Sequence, residues 1–303
     1  MAEHDYLLLD VFTDTPLAGN PLAIMMEADG LDDSAMQAIA REFNLSETVF
    51  VLKPDNPAHT ARIRIFTPAY EMPFAGHPTV GTAVALAAGS TNGGQGPSIV
   101  TIEENLGLFR CVVTGGEGPA FAEFDLPALP ARLPFDVGRE QIAAALGLNP
   151  HEIGFENHEP SLNSAGVPYV AVPVAGLEAA AKVRVDGGLW SAIAPSIDGK
   201  IACAYVYCRE TVGHDMDWHA RMFVVGEPSY EDPATGSAAA AFGSVIMGFD
   251  EPLDGDHRIW IEQGLEMGRP SRLRLELAVE GGVITGARIG GHAIRIASGR
   301  LML

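Results

Sequence analysis

The stretch Phe66-Thr67-Pro68-Ala69-Tyr70-Glu71-Met72-Pro73-Phe74-Ala75-Gly76-His77-Pro78-Thr79-Val80-Gly81-Thr82-Ala83 decides how the chain is read. Just upstream, Ala61-Arg62-Ile63-Arg64-Ile65-Phe66 alternates with a period of two, the pattern of a strand with one buried face. Pro68 and Pro73 interrupt any regular element, and Gly76 supplies a backbone that another group can approach closely. From Pro78 to Ala88 the residues are small and apolar, which predicts a buried helix opened by proline. His77 then stands where a loop turns into that helix. The first N–H groups of such a helix have no partner inside it and face whatever occupies the loop.

A second stretch has the same design. Ala220-Arg221-Met222-Phe223-Val224-Val225 reads as a strand, and a loop runs from Gly226 to Pro233. Ala234-Thr235-Gly236-Ser237-Ala238-Ala239-Ala240-Ala241-Phe242 is again a helix of small residues, opened by glycine and hydroxyls. Two strand–loop–helix units of this kind suggest an anion held by helix N-termini.

At 303 residues the chain has room for one large or two medium domains, and 47% hydrophobic residues give it a substantial core. No apolar run reaches the roughly 18–20 residues that a membrane span needs. Met1-Ala2-Glu3-His4-Asp5 lacks the basic start of a secretory signal, so a cytoplasmic protein is expected. Cys111, Cys203 and Cys208 form neither a CxxC pair nor a disulfide framework and read as reduced core thiols. A formal net charge of −20 argues against nucleic acid and anionic membrane surfaces as partners.

Along the chain, strands are expected at 6–13 and 22–25. A helix over 35–43 is capped by Asp32-Asp33-Ser34 and stopped at Asn44, and a strand is entered through Ser46-Glu47. A meander follows at 99–103, 109–113 and 120–126. Pro127, Pro130 and Pro134 then mark a boundary. It separates an N-terminal half, 1–128 with the tail 291–303 packing on it, from a C-terminal half, 129–290. The second half has a short helix at 139–146, another at 187–194, and strands near 169–174, 201–206 and 222–225. Its end repeats the first half. Ile259-Trp260-Ile261-Glu262-Gln263-Gly264 follows the pattern of Val100-Thr101-Ile102-Glu103-Glu104-Asn105, and two more strands at 272–279 and 283–289 complete the copy. The tail reads as a hairpin turning at Ser298-Gly299. An α/β fold of two pseudo-repeated halves, each with a central apolar helix, places a site naturally in a cleft between them.

Asn44-Leu45-Ser46-Glu47-Thr48-Val49-Phe50, Phe74-Ala75-Gly76-His77-Pro78-Thr79-Val80-Gly81 and Glu231-Asp232-Pro233-Ala234-Thr235-Gly236-Ser237-Ala238 together resemble the PhzF-like family of phenazine biosynthesis isomerases. Asp10-Val11-Phe12-Thr13, Gly19-Asn20-Pro21-Leu22-Ala23 and Gly290-Gly291-His292-Ala293 extend the resemblance over nearly the whole chain. The resemblance implies the diaminopimelate-epimerase-like fold, each half a β-barrel-like sheet around its central helix. It also implies a homodimer, no metal and no organic cofactor. Epimerase relatives use two cysteines as acid and base, but no cysteine of this chain lies at either helix start, which argues against a two-thiol racemase. The family pattern instead assigns proton transfer to one carboxylate, matched here by Glu47. Gly76, His77, Asp232, Gly236 and Ser237 match the groups that surround the substrate.

Each of these residues also has a structural reading. A glutamate at a strand entrance is commonly an exposed edge residue, and His77 could be a satisfied core histidine. Asp232 could simply cap the helix behind it, and Ser237 could be a small packing residue. Ser237, His77 and Asp232 superficially suggest a hydrolase triad, but no G-x-S-x-G elbow surrounds the serine. The expected activity is a cofactor-independent isomerase that shifts a proton on a small carboxylate-bearing substrate. The alternatives are an epimerase or racemase that pairs Glu47 with a second base, and a non-catalytic small-molecule-binding protein on the same fold.

Overall fold

The computed structural model describes residues 3–89, 96–116, 118–197, 199–226 and 229–303. They divide into two compact units, residues 1–125 with 290–303 and residues 126–289.

The first unit contains β1 (Glu3–Val11), β2 (Asn20–Met25), α1 (Asp33–Phe43), β3 (Thr48–Leu52), β4 (Ala61–Phe66) and β5 (Glu71–Met72). It continues with α2 (Gly76–Ala88), β6 (Pro97–Glu104), β7 (Gly107–Thr114) and β8 (Ala120–Asp125). Neighbours pair antiparallel along the meander β6–β7–β8, while β2–β3 and β4–β6 run parallel. The sequence capping of α1 is realised: the Asp32 carboxylate accepts the Ala35 N–H at 2.8 Å, and Asn44 ends the helix in the left-handed conformation. Its apolar side, Met36, Ile39 and Ala40, packs with Met25, Phe50 and Phe66.

α2 is buried continuously from Gly76 to Val84, as its all-apolar sequence requires. It lies against β1 and β2 so closely that a Cβ on Gly81 would stand 2.6 Å from Leu22 Cδ2 and 2.7 Å from Val11 Cγ2. The helix begins at Gly76, two residues ahead of the expected proline start. Pro78 fits inside the first turn because an N–H there has no intrahelical acceptor to lose. His77 is therefore a helical residue of the first turn and not the last residue of a loop. The Phe74 ring, stacked on Phe109 with centroids 4.7 Å apart and edge-on to Phe124, anchors the approach to this helix.

The second unit contains β9 (Ala131–Leu133), α3 (Arg139–Leu146), β10 (Ser161–Ser164), β11 (Pro168–Pro173), α4 (Leu177–Lys182) and α5 (Gly187–Ile193). A two-residue pair, β12 (Ser196–Ile197) and β13 (Lys200–Ile201), precedes β14 (Cys203–Cys208), β15 (Trp218–Val224) and β16 (Tyr230–Asp232). Next are α6 (Gly236–Phe249), β17 (Gly255–Gln263), β18 (Ser271–Glu280) and β19 (Val283–Met302), whose residues from Gly290 onward belong to the first unit. α6 is buried from Ala238 to Ile246 and packs on β9, β10, β11 and β18. A separate core under α3 and α5 is filled by Ile142, Leu146, Val172, Trp190 and Val206.

Pseudo-repeated halves with central helices are thus present, but two sequence expectations need correction. A β-barrel-like sheet in each half is not formed: the strand order is open, not a closed barrel, and it ends on the three-residue β9, which pairs with β10. Pro130 and Pro134 flank β9, and proline, lacking an N–H, limits pairing at such an edge. The tail is likewise no hairpin. β19 runs unbroken to Met302 and pairs antiparallel with β1, Leu7 facing Ser298 and Tyr6 facing Gly299. Gly299 serves a close contact and not a turn, since a Cβ there would stand 2.5 Å from the Tyr6 hydroxyl.

Candidate active site

The expected site residues fall into two groups, one in each unit. In the first, Glu47 lies in the bend that follows α1, immediately ahead of β3, and His77 lies in the first turn of α2. The His77 Nδ1 and Glu47 Oε2 atoms are 3.3 Å apart, with the ring 5% and the glutamate 15% exposed. An imidazolium so near a carboxylate would make an ion pair. Burial prevents this: it pushes the His77 pKa down to about 3, against a smaller upward effect from the Pro21 carbonyl. At neutral pH the ring is neutral and carries a single N–H, while a carboxylate and a carbonyl both lie beside it. A neutral imidazole beside a carboxylate leaves the carboxyl group as the one that can take up a proton, with the ring as a neutral donor.

The start of α2 adds donors. Its N-cap, Ala75, has no side chain able to bind the first N–H groups, and Pro78 contributes none. Gly76 and His77 thus present the backbone N–H groups that a helix leaves over at its N-terminus.

In the second unit the Asp232 carboxylate accepts the Thr235 hydroxyl at 2.5 Å. Gln263 Nε2 donates to the Asp232 carbonyl at 2.8 Å and to Thr235 Oγ1 at 3.1 Å. Asp232 and Thr235 thereby brace the start of α6, where Gly236 and Ser237 are the first two helical residues. Ser237 Oγ and the Tyr169 hydroxyl are 2.7 Å apart. These are polar groups held in fixed orientations, which suits binding more than proton transfer.

Sequence reasoning missed Tyr169, Thr235 and Gln263, which orient the second group, and Glu104, which meets Thr79 of α2 at 2.7 Å. Only the repeated pattern of residues 100–105 in 259–264 pointed toward Glu104 and Gln263. The cysteines do not substitute for Glu47: burial raises the Cys111 and Cys208 thiols to about 12 and raises Cys203 as well, leaving all three protonated. Among the described residues no group of three or more His, Cys, Asp or Glu side chains could hold a metal ion, and no helix is long and apolar enough to cross a membrane.

A fold of pseudo-repeated halves, with a buried histidine 3.3 Å from a carboxylate at the start of a central helix, is that of an isomerase of the proton-transferring class. The sequence matches the profile of the phenazine biosynthesis-like protein family over residues 9–299, and the chain belongs to this PhzF-like family. It is 62% identical over 304 residues to an uncharacterised isomerase of Mesorhizobium japonicum, covering 100% of both chains. It is 34% identical to the trans-2,3-dihydro-3-hydroxyanthranilate isomerase of Pseudomonas aeruginosa, over 99% of this chain and 100% of that one. The crystal structure of the Bacillus anthracis phenazine biosynthesis protein of the PhzF family superposes with a TM-score of 0.88 at 27% identity, covering 100% of each chain.

Proposed function

We propose that this isomerase moves a proton on a small carboxylate-bearing substrate without a cofactor, using Glu47 to take the proton from carbon and return it elsewhere. The observation that carries this reading is the Glu47 carboxylate held 3.3 Å from a buried, neutral His77. A proton next to a carbonyl or carboxylate is weakly acidic, so its removal needs a base at the carbon and donors already aimed at the developing negative charge. Glu47 is the base. His77 and the Gly76 and His77 N–H groups are the donors. In this reading Asp232, Gly236 and Ser237 hold the polar groups of the substrate.

The ligand chemistry follows from the same groups. Helix-start N–H groups and hydroxyls suit a carboxylate, and Asp232 suits an amino or hydroxyl substituent. Trans-2,3-dihydro-3-hydroxyanthranilate, the compound for which the 34%-identical relative is named, carries all three and is the first probe. A homodimer belongs to the same reading and is checked by light scattering.

The test is incubation of that compound, and of a panel of small carboxylic acids, in deuterium oxide with wild type and Glu47→Gln. Mass spectrometry reads the label. Solvent deuterium entering one compound with wild type, and falling by about 10²–10⁴-fold in the variant, is the expected result. Equal labelling by both proteins overturns the role of Glu47. Ligand-induced thermal shifts with no label in any compound would favour the binding-protein alternative.

A further inference from the structure

The geometry points to Glu104 as a positioning residue for His77: held as a neutral carboxylic acid, it donates to Thr79 Oγ1, whose own hydrogen goes to the Ala75 carbonyl. This rests on the reading of His77 as part of the reaction site.

Thr79 Oγ1 lies 2.7 Å from Glu104 Oε1 and 2.8 Å from the Ala75 carbonyl oxygen. A threonine hydroxyl carries one hydrogen, and an ionised carboxylate and a carbonyl are both acceptors only. If Glu104 were ionised, one of these two short contacts would be oxygen against oxygen with no hydrogen between. With Glu104 protonated, both contacts are satisfied in sequence. Its second oxygen, Oε2, is buried with no hydrogen-bond partner among the described residues, which a neutral carbonyl-type oxygen tolerates far better than a charged one.

The surroundings agree. No basic group among the described residues forms an ion pair with Glu104. The ionisable groups around it are the Cys111 thiol on β7 and, along a surface groove that Glu104 helps to line, Asp55, Arg62 and Glu103. Arg62 is turned to Asp55 at 2.8 Å, and Glu103 is bound by His59 at 2.6 Å. Burial raises the Glu104 pKa to about 8, only partly opposed by Thr79.

The second unit supplies an independent indication. β4 pairs with β6 through Arg62 and Glu103, and β15 pairs with β17 in the same parallel sense through His219 and Glu262. The residue after each glutamate is Glu104 in the first unit and Gln263 in the second. Both reach the residue that caps the central helix: Gln263 touches Thr235, and Glu104 reaches Ala75 through Thr79. A glutamine is neutral and both donates and accepts. Of the two forms of a glutamate, only the protonated one does the same. The consequence is local: Ala75 is the residue from which Gly76 and His77 depart.

Infrared spectra of wild type and Glu104→Gln in deuterium oxide near pH 6 test the protonation. A carboxylic acid C=O band present in wild type and lost in the variant is expected; identical spectra overturn the proposal. Nitrogen-15 NMR of histidine-labelled protein from pH 6 to 10 tests the positioning. The wild-type His77 signals should shift as Glu104 ionises, and those of Glu104→Gln should stay put. His77 signals that stay put in wild type as well would make Glu104 a mere core residue and overturn it. Should Glu104→Gln fail to fold, Thr79→Val takes its place: the His77 response should be lost while the acid band remains, and a retained response is the overturning result. Neither spectrum needs a substrate. The Glu104 band should persist in Glu47→Gln, so a failure of the proton-transfer reading stays distinguishable from a failure of this one.

Discussion

In the first unit Glu103 accepts the Asp55 and Asn56 N–H groups, at 2.7 and 2.9 Å, and the His59 ring at 2.6 Å. In the second, Glu262 accepts the Val212 and Gly213 N–H groups, at 2.7 and 2.8 Å, and the His219 ring at 2.9 Å. Two residues beyond the paired positions on β4 and β15, Arg64 grips Glu71 and Arg221 grips Glu231, each through Nε and one terminal nitrogen. The same register equates Thr48 with Ala204, which face Phe66 and Phe223 respectively. It therefore sets Glu47 against Cys203, and at the helix starts His77 against Ser237. The carboxylate that binds two consecutive N–H groups and the forked Arg–Glu pair are kept because they hold the strand-to-helix geometry in both copies. The residues carried on that frame are free to differ. One unit holds a histidine beside a carboxylate, the other a set of hydroxyls and a braced carboxylate.

The largest expected difference is catalytic. Glu47→Gln should lower label incorporation by about 10²–10⁴-fold, the usual worth of a general acid–base group. Cys203→Ser, at the equivalent place, should leave the rate within about twofold, because burial keeps that thiol protonated. Rate assays of both variants decide it. A large loss in Cys203→Ser would break the asymmetry and bring back a two-base racemase.

The forked pairs should differ in stability. Arg221 is 4% exposed, and it also donates to the Ala180 carbonyl at 2.6 Å. Arg221→Met leaves Glu231, only 15% exposed, and the Ala180 carbonyl without their partner and should cost about 3–5 kcal/mol. Arg64 and Glu71 are 17% and 27% exposed, so Arg64→Met should cost about 1–2 kcal/mol, water replacing part of what is lost. Urea unfolding measures both. Equal costs would mean that burial does not separate the copies.

What the sequence revealed follows from these contrasts. The helix starts were legible because Gly, Pro and runs of small residues are local signals, and the capped α1 was legible for the same reason. Glu104 was not. Glu103 and Glu104 are adjacent, and strand parity alone decides which side chain turns inward. Backbone N–H groups and His59 hold the first down to about 2, while burial lifts the second to about 8. Ser298-Gly299 misled for a related reason: the glycine meets a tertiary demand, the Tyr6 ring, and a pairing partner nearly 300 residues away is invisible locally. The openness of the sheet depends on long-range pairing too, which no strand announces by itself.

The smallest effect, taken per pH unit, sharpens the Glu104–Gln263 correspondence. A carboxyl whose pKa is about 8 when folded and about 4.5 when unfolded binds its proton more tightly in the folded state. Between those values the folded chain retains a proton that the unfolded chain has released. Stability therefore falls as pH rises, by at most about 1.4 kcal/mol per unit, and levels off above the folded value. Glu104→Gln should remove this slope, matching wild type near pH 4.5 and exceeding it progressively up to pH 8. Gln263→Glu should do the reverse and add a slope of the same sign. It cannot donate to both the Asp232 carbonyl and Thr235 as the amide does, and once ionised it would face the Asp232 carbonyl with no hydrogen to offer. Melting temperatures of the three proteins from pH 4.5 to 9 provide the comparison. If Gln263→Glu shows the added slope but Glu104→Gln keeps the wild-type one, the two positions share a place in the strand register and not a chemical requirement.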